Sequence, residues 1–394
     1  MNVSALAETE PAGAITRYLL VRDQPLRVVT TSAEADGLVT ETFWPPGMLG
    51  VSETSAVSEP PLTVIDLTRT PAGIEELLRA AEDTAVRGTY ELTRHYRLPR
   101  YDGDGWTVFT LRDVNSDETA ALIRTERTLT VVRPRTGLGD RWLTRVIRDV
   151  ATRVAKAGGS LVLHSSAFVH DHGACLVIGD SGAGKSTTAI ALARLLSGAG
   201  SGDEAGAGSR TGWMGNDRMH LDQPSDGDGY RVTACPLPLA INKGSLDAMG
   251  VTDFRSWSVR AGFPPPGSDW DRFQGEDKLK LSSQEVGRYL GVRVVPNAPL
   301  AAVLLPRVDL DAGYSFGPAA PDHTADVIKR NCFSLDDNLY GEDWLNVPVR
   351  RRTAPPSLDA FLEHLTKLRV LRCSVGSAAD LARLADDFRD AVRR

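Results

Sequence analysis

Gly179-Asp180-Ser181-Gly182-Ala183-Gly184-Lys185-Ser186-Thr187 decides the reading of this chain, because it matches the phosphate cradle G-x-x-x-x-G-K-[ST] in full. Glycines let consecutive backbone N–H groups turn inward around phosphate oxygens, which a Cβ would block. The loop opens a helix, whose first amides add positive potential at the same point. In such a cradle Lys185 reaches the β- and γ-phosphates and the Ser186 hydroxyl sits on Mg2+. Gly179 through Thr187 are therefore the expected nucleotide-binding residues.

The flanks have the required order. Ala174-Cys175-Leu176-Val177-Ile178 is a short apolar run of buried-strand type, and Thr187–Leu196 reads as a helix packed on it. Upstream, Trp142, Val146, Val150 and Val154 recur at helical spacing over Arg141–Ala157, and Gly158-Gly159 ends that helix before the strand Ser160–Leu163. The nucleotide-binding core is expected to begin near residue 138 and to run to 394.

Residues 1–137 carry no catalytic motif. Thr70-Pro71 predicts a helix start, with Thr as N-cap and Pro in the first turn, running to a stop at Gly88. Three β-like runs follow, Trp106–Leu111, Ala120–Arg124 and Thr128–Val132, so this part reads as an α+β domain. Its expected role is substrate recognition.

The chain has 394 residues, 45 basic against 51 acidic, for a formal charge of −6, so its bulk charge offers no footprint for nucleic acid. Four scattered cysteines form no C-x-x-C pair and signal neither zinc nor a disulfide framework. The N-terminus lacks an apolar signal core and the longest apolar runs are too short to span a bilayer, so a cytoplasmic protein without membrane contact is expected. Residues 197–209, rich in glycine and serine, read as a surface insertion.

A phosphate cradle gives binding, not a reaction. Asn242-Lys243-Gly244-Ser245 lacks the aspartate of a guanine-reading motif, and Leu281-Ser282-Ser283-Gln284 lacks the serine-glycine-glycine signature of an ABC-type ATPase. What is present resembles the HPr kinase/phosphorylase group of P-loop kinases. His164 stands twenty-one residues before Lys185, the run from His170 to Gly182 is similar to the family's hairpin entering its G-D-S-G loop, and Asn216-Asp217 resembles its paired-acid strand end. The resemblance covers roughly residues 158–222.

It implies an α/β fold with an HPr-kinase-like P-loop core and the cofactors ATP and Mg2+. It implies phosphoryl transfer to a hydroxyl of a protein, a peptide or a small metabolite, with His164, Lys185, Asn216 and Asp217 as catalytic residues and Ser186 and Asp217 on the metal. Related kinases assemble, so a homo-oligomer is compatible with it. The family has two adjacent aspartates where this chain has Asn216 and Asp217, and an amide neither accepts a proton nor neutralises Mg2+ as a carboxylate does. That difference keeps a second reading open, a nucleotide-dependent switch or scaffold that moves no phosphate to a substrate. Lys278 and Lys280 alternate as on a half-buried strand, His170 and His172 flank a turn expected to be exposed, and Trp257, Trp270 and Trp344 sit in a setting compatible with a substrate lid or with loop packing.

Overall fold

The computed structural model describes residues 3–8, 11–21, 24–43, 50–52, 62–93, 96–113, 116–135, 137–171, 173–198, 210–223, 229–265, 267–271, 277–309, 311, 313–334, 343–348 and 357–393. His172 and the insertion segment 199–209 lie outside them. The fold is mixed α/β in two compact units, one of residues 1–158 and 336–353 and the other of 159–335 and 354–394.

The first unit contains α1 (Val3–Glu8), β1 (Ile15–Val21), β2 (Gln24–Thr30), α2 (Ala33–Thr42), β3 (Gly50–Ser52), β4 (Leu62–Thr68), α3 (Pro71–Thr84), β5 (Val86–Thr93), β6 (Tyr96–Asp102), β7 (Thr107–Asp113), β8 (Ser116–Arg124), β9 (Thr128–Arg133) and α4 (Gly137–Ala157). The strands form one sheet in the order β3-β1-β2-β4-β9-β8-β7-β6-β5. Strands β2, β4 and β9 run parallel, and the remaining pairs are antiparallel.

Neighbouring apolar residues of a strand serve opposite faces, as the two-residue period requires. Val28, Val64 and Val131 pack with α2 and α4, whereas Val29, Ile65 and Val132 pack with α1 and α3. Helix α3 begins as expected, with the Thr70 side chain accepting from Gly73 N and Pro71 at the first position. It stops at Thr84, and Gly88 lies inside β5, so the helix is shorter than the sequence reading has it.

The division of the chain also differs from that reading. The apolar stripe of α4, assigned to the nucleotide-binding core, is spent on the first unit's sheet, and the units part at Gly158 and Gly159. The chain returns to the first unit at 343–348, where Trp344 is 1% exposed, stacks on Tyr90 and meets Phe109 edge-on.

The second unit contains β10 (Leu161–Leu163), β11 (Ser165–His170), β12 (Gly173–Ile178), α5 (Lys185–Ser197), β13 (Gly212–Gly215), β14 (Met219–Asp222), β15 (Arg231–Ala234), β16 (Leu239–Ile241), α6 (Lys243–Ala248), β17 (Leu279–Leu281), α7 (Ser283–Leu290), β18 (Asn297–Val308), β19 (Ser315–Pro318), α8 (Pro321–Arg330), α9 (Leu358–Leu365), β20 (Arg369–Val375) and α10 (Ala378–Arg393). Its main sheet runs β10-β14-β15-β18-β12-β11-β13, with β20 beside β18 and β19 beside β20. Strand β12 is parallel to β18, and β18 to β20. Strand β11 is antiparallel to both β12 and β13. The carboxyl ends of β13, β12, β18 and β20 therefore share one edge, and β11 starts there. Helices α5 and α10 pack over the sheet in a core that includes Phe168, Val177, Ile190, Leu192 and Phe388. All four cysteines are buried and free, and burial pushes the Cys373 thiol up to about 12.

Candidate functional site

The glycine loop leaves β12 at Ile178 and enters α5 at Lys185. Ala183 N donates to Asp180 O at 3.1 Å, and Val308 N donates to Ala183 O at 3.1 Å, which fastens the loop to the end of β18. Gly184 is the N-cap of α5 with φ +88°, and a Cβ there would lie 2.2 Å from Val308 Cγ2. Glycine is required at this position by both backbone and space. Gly182 has φ +81°, and a Cβ added there would have no neighbour within 4 Å, so the loop's outer side stays open.

Lys185 is 8% exposed, and its Nζ donates to the carbonyls of Gly179 at 2.8 Å and Asp180 at 3.1 Å. Burial lowers its pKa; the carboxylates of Asp217 and Asp180 oppose that shift, and Lys278 adds to it. A buried ammonium on an open glycine turn has the donor chemistry for phosphate. Ser186 Oγ lies 3.3 Å from Ser166 Oγ, and Thr187 Oγ1 lies 3.1 Å from Ser245 Oγ.

His164 is the single residue between β10 and β11. Its N donates to Asn331 O at 2.8 Å, its ring stacks on Phe333 with centroids 5.2 Å apart, and its Nε2 lies 3.3 Å from Asp217 Oδ1. Asn216 and Asp217 follow β13 directly. The run Trp213–Met219, which reads as one strand, is broken here, because Asp217 has φ +69° and Arg218 N donates back to Asn216 O at 2.8 Å. That pattern is a γ-turn with a positive central φ, a rare and strained conformation for a residue with a side chain.

The sheet thus brings His164, Lys185 and Asp217 to one edge. Asn216 comes with them, but it is 6% exposed and its Oδ1 is buried without a hydrogen-bond partner. Such an acceptor costs about 1–3 kcal/mol to leave unmade. Among the described residues no group of three or more His, Cys, Asp or Glu is placed to hold a metal alone. Magnesium bound with nucleotide takes one or two protein ligands and completes its shell with phosphate oxygens and water, and Ser186 and Asp217 carry oxygen donors of the type it takes.

Residues that sequence reasoning missed close the loop from the other side. Arg330, the last residue of α8, meets Asp180 through Nη2 at 3.1 Å, and Asn331 Nδ2 donates to the same carboxylate at 3.3 Å. These contacts, Arg330 first, hold the Asp180 carboxyl below its usual range. The turn after α8 is stitched to the His164 strand as well, with Phe333 N donating to Val162 O at 2.9 Å. Asp322–Arg330 reads in sequence only as a short helix, and the Arg330 partner Asp180 is 150 residues away.

His170 also departs from expectation. Its side chain is 9% exposed, with Nδ1 3.0 Å from Thr211 Oγ1. Lys280 is exposed between buried Leu279 and Leu281, as alternation predicts. No known protein family matches the chain, and no curated protein matches it significantly.

Proposed function

We propose that the chain is an ATP-dependent phosphotransferase of HPr-kinase type, passing the γ-phosphoryl group to a hydroxyl of a protein, a peptide or a small metabolite. The observation that carries this reading is the convergence of a buried P-loop lysine with a carboxylate and imidazole pair. Asp217, in a strained backbone conformation, opposes the pKa shift of Lys185 through its charge and pairs with His164, which supports a role in transfer beyond holding nucleotide.

In the transfer, the acceptor oxygen bonds to the γ-phosphorus while the bond from that phosphorus to the β,γ-bridging oxygen breaks and ADP departs. Lys185 and the loop amides stabilise the charge that spreads over the phosphate oxygens. Ser186 and Asp217 would hold Mg2+, which when bound would supply neutralisation of part of the same charge. Asp217 takes the acceptor proton or orients the hydroxyl, and His164 steadies the carboxylate through Nε2. Arg330 and Asn331 hold the Asp180 carboxylate by hydrogen bonds at the loop's edge.

The test is incubation of purified protein with γ-labelled ATP, Mg2+ and fractionated lysate of its own source. Label on a defined peptide or metabolite that disappears in Lys185→Ala and Asp217→Asn supports the kinase. Label released only as free phosphate overturns it in favour of a switch or scaffold ATPase.

A further inference from the structure

The first unit contains a cavity of about 490 Å³ that phosphoryl transfer at the P-loop does not use. Its place follows from chain order. After β2 the chain passes through α2 to β3 at one edge of the sheet, and after β4 it passes through α3 to β5 at the opposite edge. The two helices lie on opposite faces. Connections that depart in opposite directions from adjacent parallel strands leave a crevice beyond the strands' carboxyl ends, the usual ligand position in open α/β sheets.

The cavity sits in that crevice. Thr31 and Ser32 follow β2, Thr68 ends β4, Arg69 comes next, and Arg135 lies two residues beyond β9. Thr31 Oγ1 and Thr68 Oγ1 are 3.4 Å apart across the crevice. Among the described residues the lining includes two exposed arginines and no carboxylate, and Arg69 Nη1 donates to Thr68 O at 3.3 Å at its rim. The Ser32 and Thr70 hydroxyls accept from the backbone of their own helices, so the arginines carry the argument rather than the helix ends. Leu6, Pro11 and Leu67 form an apolar portion.

We propose that this crevice binds a small organic phosphomonoester. Two arginines balance a phosphate dianion and match its oxygens as paired donors. The volume falls in the range of about 300–1,000 Å³ typical of sites for organic ligands, and the apolar portion faces a carbon skeleton.

The test is equilibrium dialysis of the full chain with radiolabelled glycerol 3-phosphate, in saturating Mg·ADP so that the P-loop is occupied. One saturable site per chain is expected, with weaker binding of orthophosphate and none of glycerol. Arg69→Ala and Arg135→Ala should each weaken it by at least about tenfold, the scale of a charge-assisted contact. Arg69→Lys should lose less, and melting temperatures should stay unchanged. Lys185→Ala should bind as wild type, which separates this site from the kinase reading. Absence of saturable binding, or binding indifferent to both arginines, overturns the proposal.

Discussion

His164 Nε2 and Asp217 Oδ1 lie 3.3 Å apart, although they stand 53 positions apart in the chain and flank different strands. The pairing arises because β11 lies against β13 with Ala167 opposite Gly215, so the start of one strand meets the end of the other. On the proposed reading the two side chains play unequal parts. Asp217→Asn should lower turnover by about two to four orders of magnitude, the range of general acid–base catalysis. His164→Gln keeps a donor for the carboxylate and should cost less than Asp217→Asn. Steady-state rates with saturating ATP check the order, and a larger loss in His164→Gln would move the base to the imidazole.

Strain at Asp217 makes a second prediction independent of the acceptor. A non-glycine residue at φ +69° costs on the order of 1 kcal/mol, and glycine removes that cost. Asp217→Gly should therefore raise the melting temperature by about 2–4 °C while abolishing transfer. A fall in melting temperature would mean that the side chain supports the turn rather than being strained by it.

The strand, glycine loop and helix around Lys185 were legible because their determinants are local. The strand expected over Ala174–Ile178 is Gly173–Ile178, and the helix expected over Thr187–Leu196 is Lys185–Ser197. The break at Asp217 was not legible, since Trp213–Met219 has the composition of one strand and only pairing with β11, β10 and β15 divides it. The stripe of α4 was visible, but a periodic stripe does not say which sheet it covers. Arg330 joins the loop through long-range packing, which leaves no trace in spacing.

Asp66 on β4 and Arg133 on β9 form a buried ion pair in the first unit, 0% and 4% exposed, with Arg133 Nη2 donating to Asp66 Oδ2 at 3.1 Å. Burial raises the Asp66 pKa, and the guanidinium opposes the shift. Asp66→Asn leaves a buried cation without its counter-charge and should destabilise the unit by about 3–5 kcal/mol. The double change Asp66→Leu with Arg133→Met should recover most of that loss, because desolvation of both charges is avoided. Urea denaturation of the three variants measures it, and a double variant no better than Asp66→Asn would refute the account.

His170 gives the second unit a pH dependence. Burial lowers its pKa from 6.5, Asp171 opposes that, and Arg389 and Arg393 reinforce it. With the folded value depressed, the unfolded chain binds the proton more readily, so stability is full above 6.5 and falls as pH drops from there through the folded value. The melting temperature should fall between pH 7.5 and pH 5.5, and His170→Gln should reduce the drop while keeping a partner for Thr211. An equal drop in both proteins would assign it to other groups.

Gly182 and Gly184 both hold positive φ, yet their replacement by alanine should separate folding from binding. At Gly184 the new methyl meets Val308 Cγ2 at 2.2 Å and Cβ at 2.5 Å, so β18 or the start of α5 has to shift. Gly184→Ala should lower stability well beyond the roughly 1 kcal/mol of backbone strain alone and displace Lys185 with the helix. At Gly182 the methyl meets no protein atom within 4 Å, so strain is the whole folding cost. On the proposed reading the methyl takes space that phosphate oxygens need at the loop amides, and nucleotide affinity should fall by at least about tenfold with the fold retained. Calorimetric titration of Mg·ADP alongside thermal melts distinguishes the two. A Gly182→Ala protein that binds nucleotide as tightly as wild type would show that the phosphates do not enter from the open side of the loop.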